Sequence, residues 1–329
     1  MSGGGSPLDD LTERSGRAFP HLVSARERTA EGLRQRSTRL GAIRHDQEVA
    51  VVLMGSWGRA EVTAGSDDDF MVLVHGREQE PVEPSMDSVA AVLDHPPGSQ
   101  GIFGVPVFSE SLVENIGLDG DDNKNLTRRM LLILESRAVT GGDAYEAVRD
   151  ELLDRYLDGS VKSFRPPRFL LNDVVRYWRT ICVDFAGKEH EGPERWGLRN
   201  AKLRTSRKVL FAGGLLPILE CFRFHEDEMR RFLGDQLDMP PTDRIAQSFL
   251  VHEAIDAGAR ALGAYDEFVG RMDDEGFRRE LGEVTRESAG ESAAFEDVRR
   301  IAHDLEQGLL ALLYETRALP QVARDYAVF

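Results

Sequence analysis

The chain has only two cysteines, Cys182 and Cys221, among 329 residues. Two cysteines cannot form a disulfide framework, and neither lies at zinc-site spacing from histidines, so buried free thiols are expected. No apolar run approaches the ~20 residues that a helix needs to cross a bilayer. The first residues lack the basic and apolar regions of a signal peptide. We therefore predict a cytoplasmic protein without a membrane partner.

Positive charge is also scarce, with 41 Lys and Arg residues against 57 Asp and Glu residues and a formal net charge of −16. Binding to the phosphates of a long nucleic acid needs an extended basic surface. This composition argues against such a surface, so any contact with a nucleic acid would have to be local.

The segment from Gly55 to Asp69 carries most of the functional information. It reads GSWGRAEVTAGSDDD and lies between two apolar runs, Val49–Met54 and Phe70–Val74, that have the character of buried strands. Residues i and i+2 of a strand point to the same side, so Asp67 and Asp69 are expected to project into one pocket. Two close carboxylates repel each other unless a cation lies between them, and a hard divalent ion suits oxygen ligands.

The Gly55-Ser56 pair completes this pattern. Glycine allows a tight backbone turn, and the serine hydroxyl can approach a phosphate, especially where a helix begins and its free N–H groups attract anions. Metal-binding carboxylates beside a phosphate-binding turn predict a nucleotidyl-transfer site. The alternative interpretation is a glycine-rich turn followed by a solvated acidic loop.

Over roughly residues 49–74 the sequence resembles the signature of the polymerase-β-type nucleotidyltransferase superfamily, which combines Gly-Ser with a following Asp-x-Asp. The matching positions are Gly55-Ser56, Gly58-Arg59, Glu61 and Ser66-Asp67-Asp68-Asp69. The resemblance implies Mg²⁺ (or Mn²⁺) bound by Asp67 and Asp69, and a nucleoside triphosphate as substrate. It places Gly55, Ser56, Arg59 and Ser66 at the nucleotide. An ion pair with Glu61 is the alternative role for Arg59.

The superfamily usually has a third carboxylate on a later strand. We expect a strand over Ile102–Phe108, so Glu110 is the nearest candidate for a third metal ligand and catalytic residue, with Glu114 behind it. Both could instead be solvated carboxylates at the start of a helix. Without a third acid, catalysis would be in doubt but nucleotide binding would not.

A second feature is a basic stretch within the later helices. Residues 195–208 contain six basic residues and no acid. At helical spacing Arg199, Lys202 and Ser206 share one stripe. By resemblance, Lys202 and Ser206 would contact the triphosphate, with Arg199 beside them. The alternative is a solvated face that pairs with acids elsewhere.

Strand patterns cluster early and helix patterns late, which predicts an α+β fold: a polymerase-β-type domain followed by an all-helical domain. We expect a flexible N-terminus over residues 1–18, a catalytic domain over 19–140 and a helical domain over 141–329. Within these, single helices are predicted over Leu126–Ala138 and Leu198–Leu210.

These observations predict a metal-dependent nucleotidyltransferase that moves a nucleoside monophosphate from a nucleoside triphosphate to an acceptor hydroxyl and releases pyrophosphate. The acceptor stays open between a small molecule, a protein, a tRNA end and a second nucleotide. The alternative function is a catalytically silent nucleotide-binding regulator or antitoxin-like partner with the same fold.

Overall fold

The computed structural model describes residues 5–78, 81–94, 104–159, 161–191 and 195–328. Its strands are β1 (Val49–Met54), β2 (Phe70–Val74), β3 (Val107–Phe108) and β4 (Ser136–Thr140). Its α-helices are α1 (Pro7–Ser15), α2 (Pro20–Leu40), α3 (Met86–Ala90), α4 (Ser109–Val113), α5 (Asn123–Leu134), α6 (Gly142–Leu157), α7 (Arg168–Glu191), α8 (Trp196–Arg204), α9 (Ser206–Glu220), α10 (Glu226–Leu237), α11 (Pro241–Val251), α12 (Ile255–Asp273), α13 (Glu275–Glu283), α14 (Ala293–Glu315) and α15 (Leu319–Val322). Short 3₁₀ turns lie at Cys221–Arg223 and Ser288–Gly290, and a π-helical segment lies at Ala323–Val328.

The fold is mixed α+β and mostly helical, with a small mixed sheet of four strands among the described residues. The chain divides into two compact units. The sheet unit comprises Ala25–Val62 and Ser66–Ser160, and the helical unit comprises Met1–Ser24, Thr63–Gly65 and Val161–Phe329. This division places residues 141–160 with the sheet and the N-terminal segment with the helices, whereas the sequence suggested a boundary at residue 140.

The sheet has the strand order β3-β2-β1-β4. β1 runs antiparallel to β2, with Leu53 opposite Phe70, and antiparallel to β4 on its other side. β3 runs parallel to β2, with Val107 opposite Leu73. Every residue of β1 and β2 is buried, because both faces of these central strands are covered. The two apolar runs are therefore the buried strands that the sequence predicts.

The region after α5 differs from its prediction. A helix was expected over Leu126–Ala138, but α5 ends at Leu134 and β4 begins at Ser136. The backbone of β4 pairs with β1, and this pairing supplies the hydrogen bonds that a longer helix would otherwise have supplied. Asp122 caps the start of α5 by accepting a hydrogen bond from the Asn125 N–H at 2.7 Å.

The N-terminal segment is helical where the sequence suggested a flexible end. α1 begins with Pro7 in its first turn, and Ser6 and Asp9 form a reciprocal capping box. Leu8 and Leu11 are buried, and the helix packs against α11 and α12. Ser6 is followed directly by Pro7 and, three residues later, by Asp9. This pattern is the sequence signal that could have predicted the helix.

Two further predicted elements are modified. The helix expected over Leu198–Leu210 is interrupted at Thr205, whose buried hydroxyl donates a 2.7 Å hydrogen bond to the Ala201 carbonyl. Such bonds compete with regular helix geometry. A strand was expected over Ile102–Phe108. The last two of these residues form β3, and residues 102 and 103 lie outside the described part of the chain. No helix among the described residues is long and apolar enough to cross a bilayer.

Candidate functional site

A tight turn follows β1. Gly55 has a φ of +65°, in the left-handed region that favours glycine. The Arg59 N–H donates to the Gly55 carbonyl at 3.0 Å, and the Glu61 N–H donates to the Ser56 carbonyl at 2.8 Å. These bonds close a single helical turn directly at the end of a buried strand. The sequence interpretation of Gly55-Ser56 as a tight turn agrees with this geometry.

The strand register brings Asp69 to this turn. The Met54 N–H donates to the Asp69 carbonyl at 2.9 Å, which extends the β1–β2 ladder by one pair. A Cβ placed on Gly55 would lie 3.5 Å from Oδ2 of Asp69. The structure therefore places one predicted metal ligand beside the predicted phosphate-binding turn.

The three consecutive aspartates lie in different surroundings. Asp68 is fully buried, Asp67 is exposed and Asp69 is half-buried. Side chains alternate in direction along an extended backbone, so the outer two aspartates are expected on the side opposite Asp68. The Trp57 indole N–H donates to the Asp67 carbonyl at 3.1 Å and ties this segment to the turn. Ser66 is half-buried just before the aspartates.

Asp68 has a structural role that the sequence did not reveal. Its carboxylate accepts a hydrogen bond from Nη2 of Arg36 at 2.8 Å and another from the Asp94 backbone N–H at 3.1 Å. The Arg36 guanidinium also lies over the Trp57 ring, 4.1 Å from its centroid. This buried ion pair fixes the aspartate segment against α2, so the middle aspartate positions its two neighbours.

Arg59 is buried between two carboxylates. Its Nε donates to Oε2 of Glu61 at 2.8 Å, and its Nη1 pairs with Glu135. The alternative of an ion pair with Glu61 is thus present, and Glu135 is a second partner that the sequence did not indicate. A Cβ at Gly58 would overlap the Glu135 carbonyl oxygen, so this close backbone approach requires glycine. A contact of Arg59 with a phosphate stays a prediction.

Glu110 is not brought together with Asp67 and Asp69. Its N–H donates to the Gly76 carbonyl at 3.3 Å, beyond the carboxyl end of β2, whereas Asp69 lies at the start of that strand. Five residues of strand span roughly 15 Å. The Glu110 carboxylate instead pairs with the exposed Arg77 at 2.9 Å. Within the described residues, no group of three or more His, Cys, Asp or Glu side chains is placed to hold a metal.

The expectation that Glu110 supplies the third ligand is therefore not supported by this geometry. The physical reason is that β3 pairs in parallel with the far end of β2. Residues that follow β3 therefore lie at the end of the strands that is opposite the Gly55–Ser56 turn. Glu114 lies one helical turn beyond Glu110 and does not take its place, because its N–H donates to the Glu110 carbonyl at 3.0 Å.

The predicted triphosphate contacts Arg199, Lys202 and Ser206 lie in the helical unit. Lys202 is exposed, Arg199 is half-buried and Ser206 is buried. The Ser206 hydroxyl donates to the Lys202 carbonyl at 3.3 Å, across the junction of α8 and α9. In the same stretch Lys208 pairs with Glu306 at 3.0 Å, as the solvated-face alternative expects.

The turn also offers hydrogen-bond donors to an anion. The backbone N–H groups of Ser56 and Gly58 donate to no acceptor among the described residues. Two N–H donors beside carboxylates that can bind a cation suit a metal-bound phosphate. No protein-family model matches this chain, and no curated protein matches it. The interpretation of the site rests on its own geometry and on the residue pattern.

Proposed function

We propose that the protein is a metal-dependent nucleotidyltransferase and that its sheet unit is a polymerase-β-type catalytic domain. The observation that carries this proposal is the position of the Asp69 carboxylate, directly beside the Gly55–Ser56 turn. A phosphate bound at the turn and a cation bound at the carboxylate would be in contact. That contact is what transfer of a nucleotidyl group from a triphosphate requires.

The residues fit a magnesium or manganese ion. Mg²⁺ is commonly held by one or two carboxylates together with substrate phosphates and water. Asp67 and Asp69 supply two carboxylates, and the Asp67 side chain makes no hydrogen bond or ion pair with the described residues. When bound, such an ion neutralises phosphate charge and makes a nearby hydroxyl more acidic.

The chain's own residues would bind and orient the triphosphate. The absence of a side chain at Gly55 lets a phosphate approach the backbone, and the N–H groups of Ser56 and Gly58 can donate to its oxygens. The Ser56 hydroxyl can add another hydrogen bond. Contacts of Arg199, Lys202 and Ser206 with a triphosphate stay predictions. The acceptor hydroxyl stays open between a small molecule, a protein, a tRNA end and a second nucleotide.

The position of Glu110 favours a second candidate function. A transfer reaction benefits from a carboxylate near the attacking hydroxyl. Glu110 lies beyond the carboxyl end of β2, at the far end of that strand from Asp69. A nucleotide-binding regulator or antitoxin-like partner would need Asp67 and Asp69 but not this third acid.

Calorimetry with a non-hydrolysable triphosphate, with and without Mg²⁺, tests the binding site. Asp67→Asn and Asp69→Asn should each abolish the Mg²⁺-dependent binding. Asp87→Asn is the matched control, because Asp87 is an exposed aspartate of the same unit on α3. Wild-type affinity in both site variants would disprove the assignment.

Release of pyrophosphate from labelled triphosphates, with and without cell extract, then separates the two candidates. Binding with release of pyrophosphate supports the enzyme. Binding that depends on Asp67 and Asp69 without release, over the four nucleobases and with extract present, supports the regulator.

A further inference from the structure

The helical unit contains a cavity that the proposed nucleotide site does not use. Its volume is about 660 Å³, within the range of small-molecule pockets. Its lining includes three arginines and three aromatic residues, which together we call the arginine cavity: Arg165, Arg168, Arg324, Phe164, Phe222 and Tyr326.

The fold does not neutralise the three arginines of the cavity. None of them forms an ion pair with a carboxylate among the described residues. The acid that also lines the cavity, Asp325, accepts a 2.7 Å hydrogen bond from the Gln321 amide instead. The arginine cavity is therefore locally positive in a chain of net charge −16. A local positive field of this kind attracts anions.

Phe164 supplies an aromatic surface at the same place. Its side chain is 54% exposed although it is large and apolar, and its φ is +62°. A bulky residue in the left-handed region is strained and persists only where the surrounding structure imposes it. Here the Phe164 N–H donates to the Phe224 carbonyl at 2.8 Å, and its ring packs edge-on against His225. These contacts hold an apolar ring where solvent can reach it.

The helix α7 adds to the positive field. It begins at Arg168, so its N-terminal end, where the helix dipole is positive, adjoins the cavity. The Arg168 guanidinium lies 5.3 Å from the centroid of the Tyr326 ring. That cation–π contact fixes one guanidinium and leaves its N–H groups available to a ligand.

We propose that the arginine cavity binds a small organic anion that joins a phosphate group to an aromatic ring. Arginine guanidinium groups match phosphate oxygens in charge and in hydrogen-bond geometry. The rings of Phe164 and Phe222 provide apolar surface for the aromatic part. The site is separate from the Gly55–Asp69 site and does not depend on a metal ion or on the proposed transfer reaction.

Phenyl phosphate is the probe, and calorimetry without divalent cations is the measurement. The wild-type protein should bind phenyl phosphate at least about tenfold more tightly than inorganic phosphate or phenol, because only the first probe uses both surfaces. Equal affinity for phenyl phosphate and either control compound would overturn the proposal.

The variants Arg165→Gln, Arg168→Gln and Arg324→Gln identify the donors. Loss of one charge-assisted contact should weaken phenyl phosphate binding by about tenfold, whereas Arg231→Gln should not change it. Arg231 is an exposed arginine of the same unit on α10, outside the cavity. Unchanged binding in all three cavity variants, or an equal loss in the Arg231 variant, would contradict the proposal.

Phe164→Gly tests the aromatic surface without a loss of fold, because glycine accepts the positive φ. Its thermal midpoint should stay close to that of the wild type, and its preference for phenyl phosphate over inorganic phosphate should become clearly smaller, because Phe222 is the remaining phenylalanine of the cavity. Undiminished discrimination between the two probes would exclude a role for the Phe164 ring. Asp67→Asn with Asp69→Asn should leave phenyl phosphate binding unchanged, so failure of the proposed nucleotide site and failure of this inference are distinguishable.

Discussion

Two sets of arginines, one in each unit, occupy opposite environments. In the sheet unit, Arg36 and Arg59 are buried and bound by carboxylates of the same unit. Around the arginine cavity, Arg165, Arg168 and Arg324 are exposed and have no such partner among the described residues. The number of charges in a segment therefore does not indicate which of them the fold neutralises and which it leaves exposed.

The same distinction separates neighbouring residues. Asp68 is neutralised by Arg36 and holds the segment in place, while Asp67 is exposed and Asp69 faces the Gly55 turn. Three identical side chains in sequence therefore divide into one structural residue and two candidate ligands.

The largest expected effect is on stability, from Arg59→Met. This change leaves Glu61 and Glu135 buried beside each other without their shared cation. Removing one partner of a buried pair costs about 3–5 kcal/mol of folding free energy. Urea denaturation followed by circular dichroism measures it. The control is Arg34→Met, which removes an exposed ion pair with Glu31 and should change stability by no more than about 0.5 kcal/mol. A loss below about 1 kcal/mol for Arg59→Met would mean that water reaches the two glutamates.

The next effect separates Asp68 from Asp69. Asp68→Asn removes one of the two carboxylates that pair with the buried Arg36, the other being Asp94 at 3.2 Å, and should cost about 1.5–3 kcal/mol, the range for hydrogen bonds to charged groups. Asp69→Asn should leave the denaturation midpoint nearly unchanged but abolish the Mg²⁺-dependent triphosphate binding. Denaturation and calorimetry on both variants form the test. Equal stability losses would show that the two aspartates are not in different environments.

The sequence predicted those features that depend on local pattern. β1 and β2 are apolar and β-branched, and the Gly55 turn follows from glycine chemistry. The first three residues of β4, 136–138, were predicted as helix because the strand depends on pairing with β1, which lies far away in sequence. The partners of Arg59 and Asp68 could not be predicted for the same reason, since Glu135 and Arg36 reach them only through tertiary packing. Glu110 was misplaced because the strand order was unknown.

A pH effect on stability is expected for a buried acid whose positively charged partner compensates only part of the cost of burial. Glu220 is buried in the helical unit, and burial raises its pKa despite the Ser248 hydrogen bond and the half-exposed Arg223 at 3.3 Å. His252 lies 3.7 Å away, and burial lowers its pKa, so it adds little positive charge.

Because the folded pKa of Glu220 is raised, its contribution to stability is present below its ordinary pKa of 4.5 and is lost as the pH rises through the folded pKa. The Glu220→Gln variant should therefore gain stability relative to the wild type as the pH rises above 4.5. Denaturation midpoints at several pH values measure the difference. A difference that does not change with pH would contradict the raised pKa of Glu220.

The smallest expected effect is that of Glu110→Gln. A carboxylate that completed the metal site would lower turnover by orders of magnitude while leaving triphosphate affinity nearly intact, as expected for an interaction made in the transition state. The structure argues against this outcome. Glu110 lies beyond the carboxyl end of β2, far from Asp69, and it pairs with Arg77, whose side chain is 85% exposed. Exposed pairs contribute only about 0–1 kcal/mol.

We therefore expect Glu110→Gln to keep stability, Mg²⁺-dependent affinity and any turnover within about twofold of the wild type. Asp69→Asn, measured in parallel, provides the contrasting loss. A large fall in turnover with affinity retained would place Glu110 at the reacting hydroxyl and would require a different pairing of β3. An unchanged Glu110 variant in an active enzyme would instead mean that Asp67 and Asp69 support transfer without Glu110. The two carboxylates beside the turn, and not the number of acids near the sheet, would then define the site.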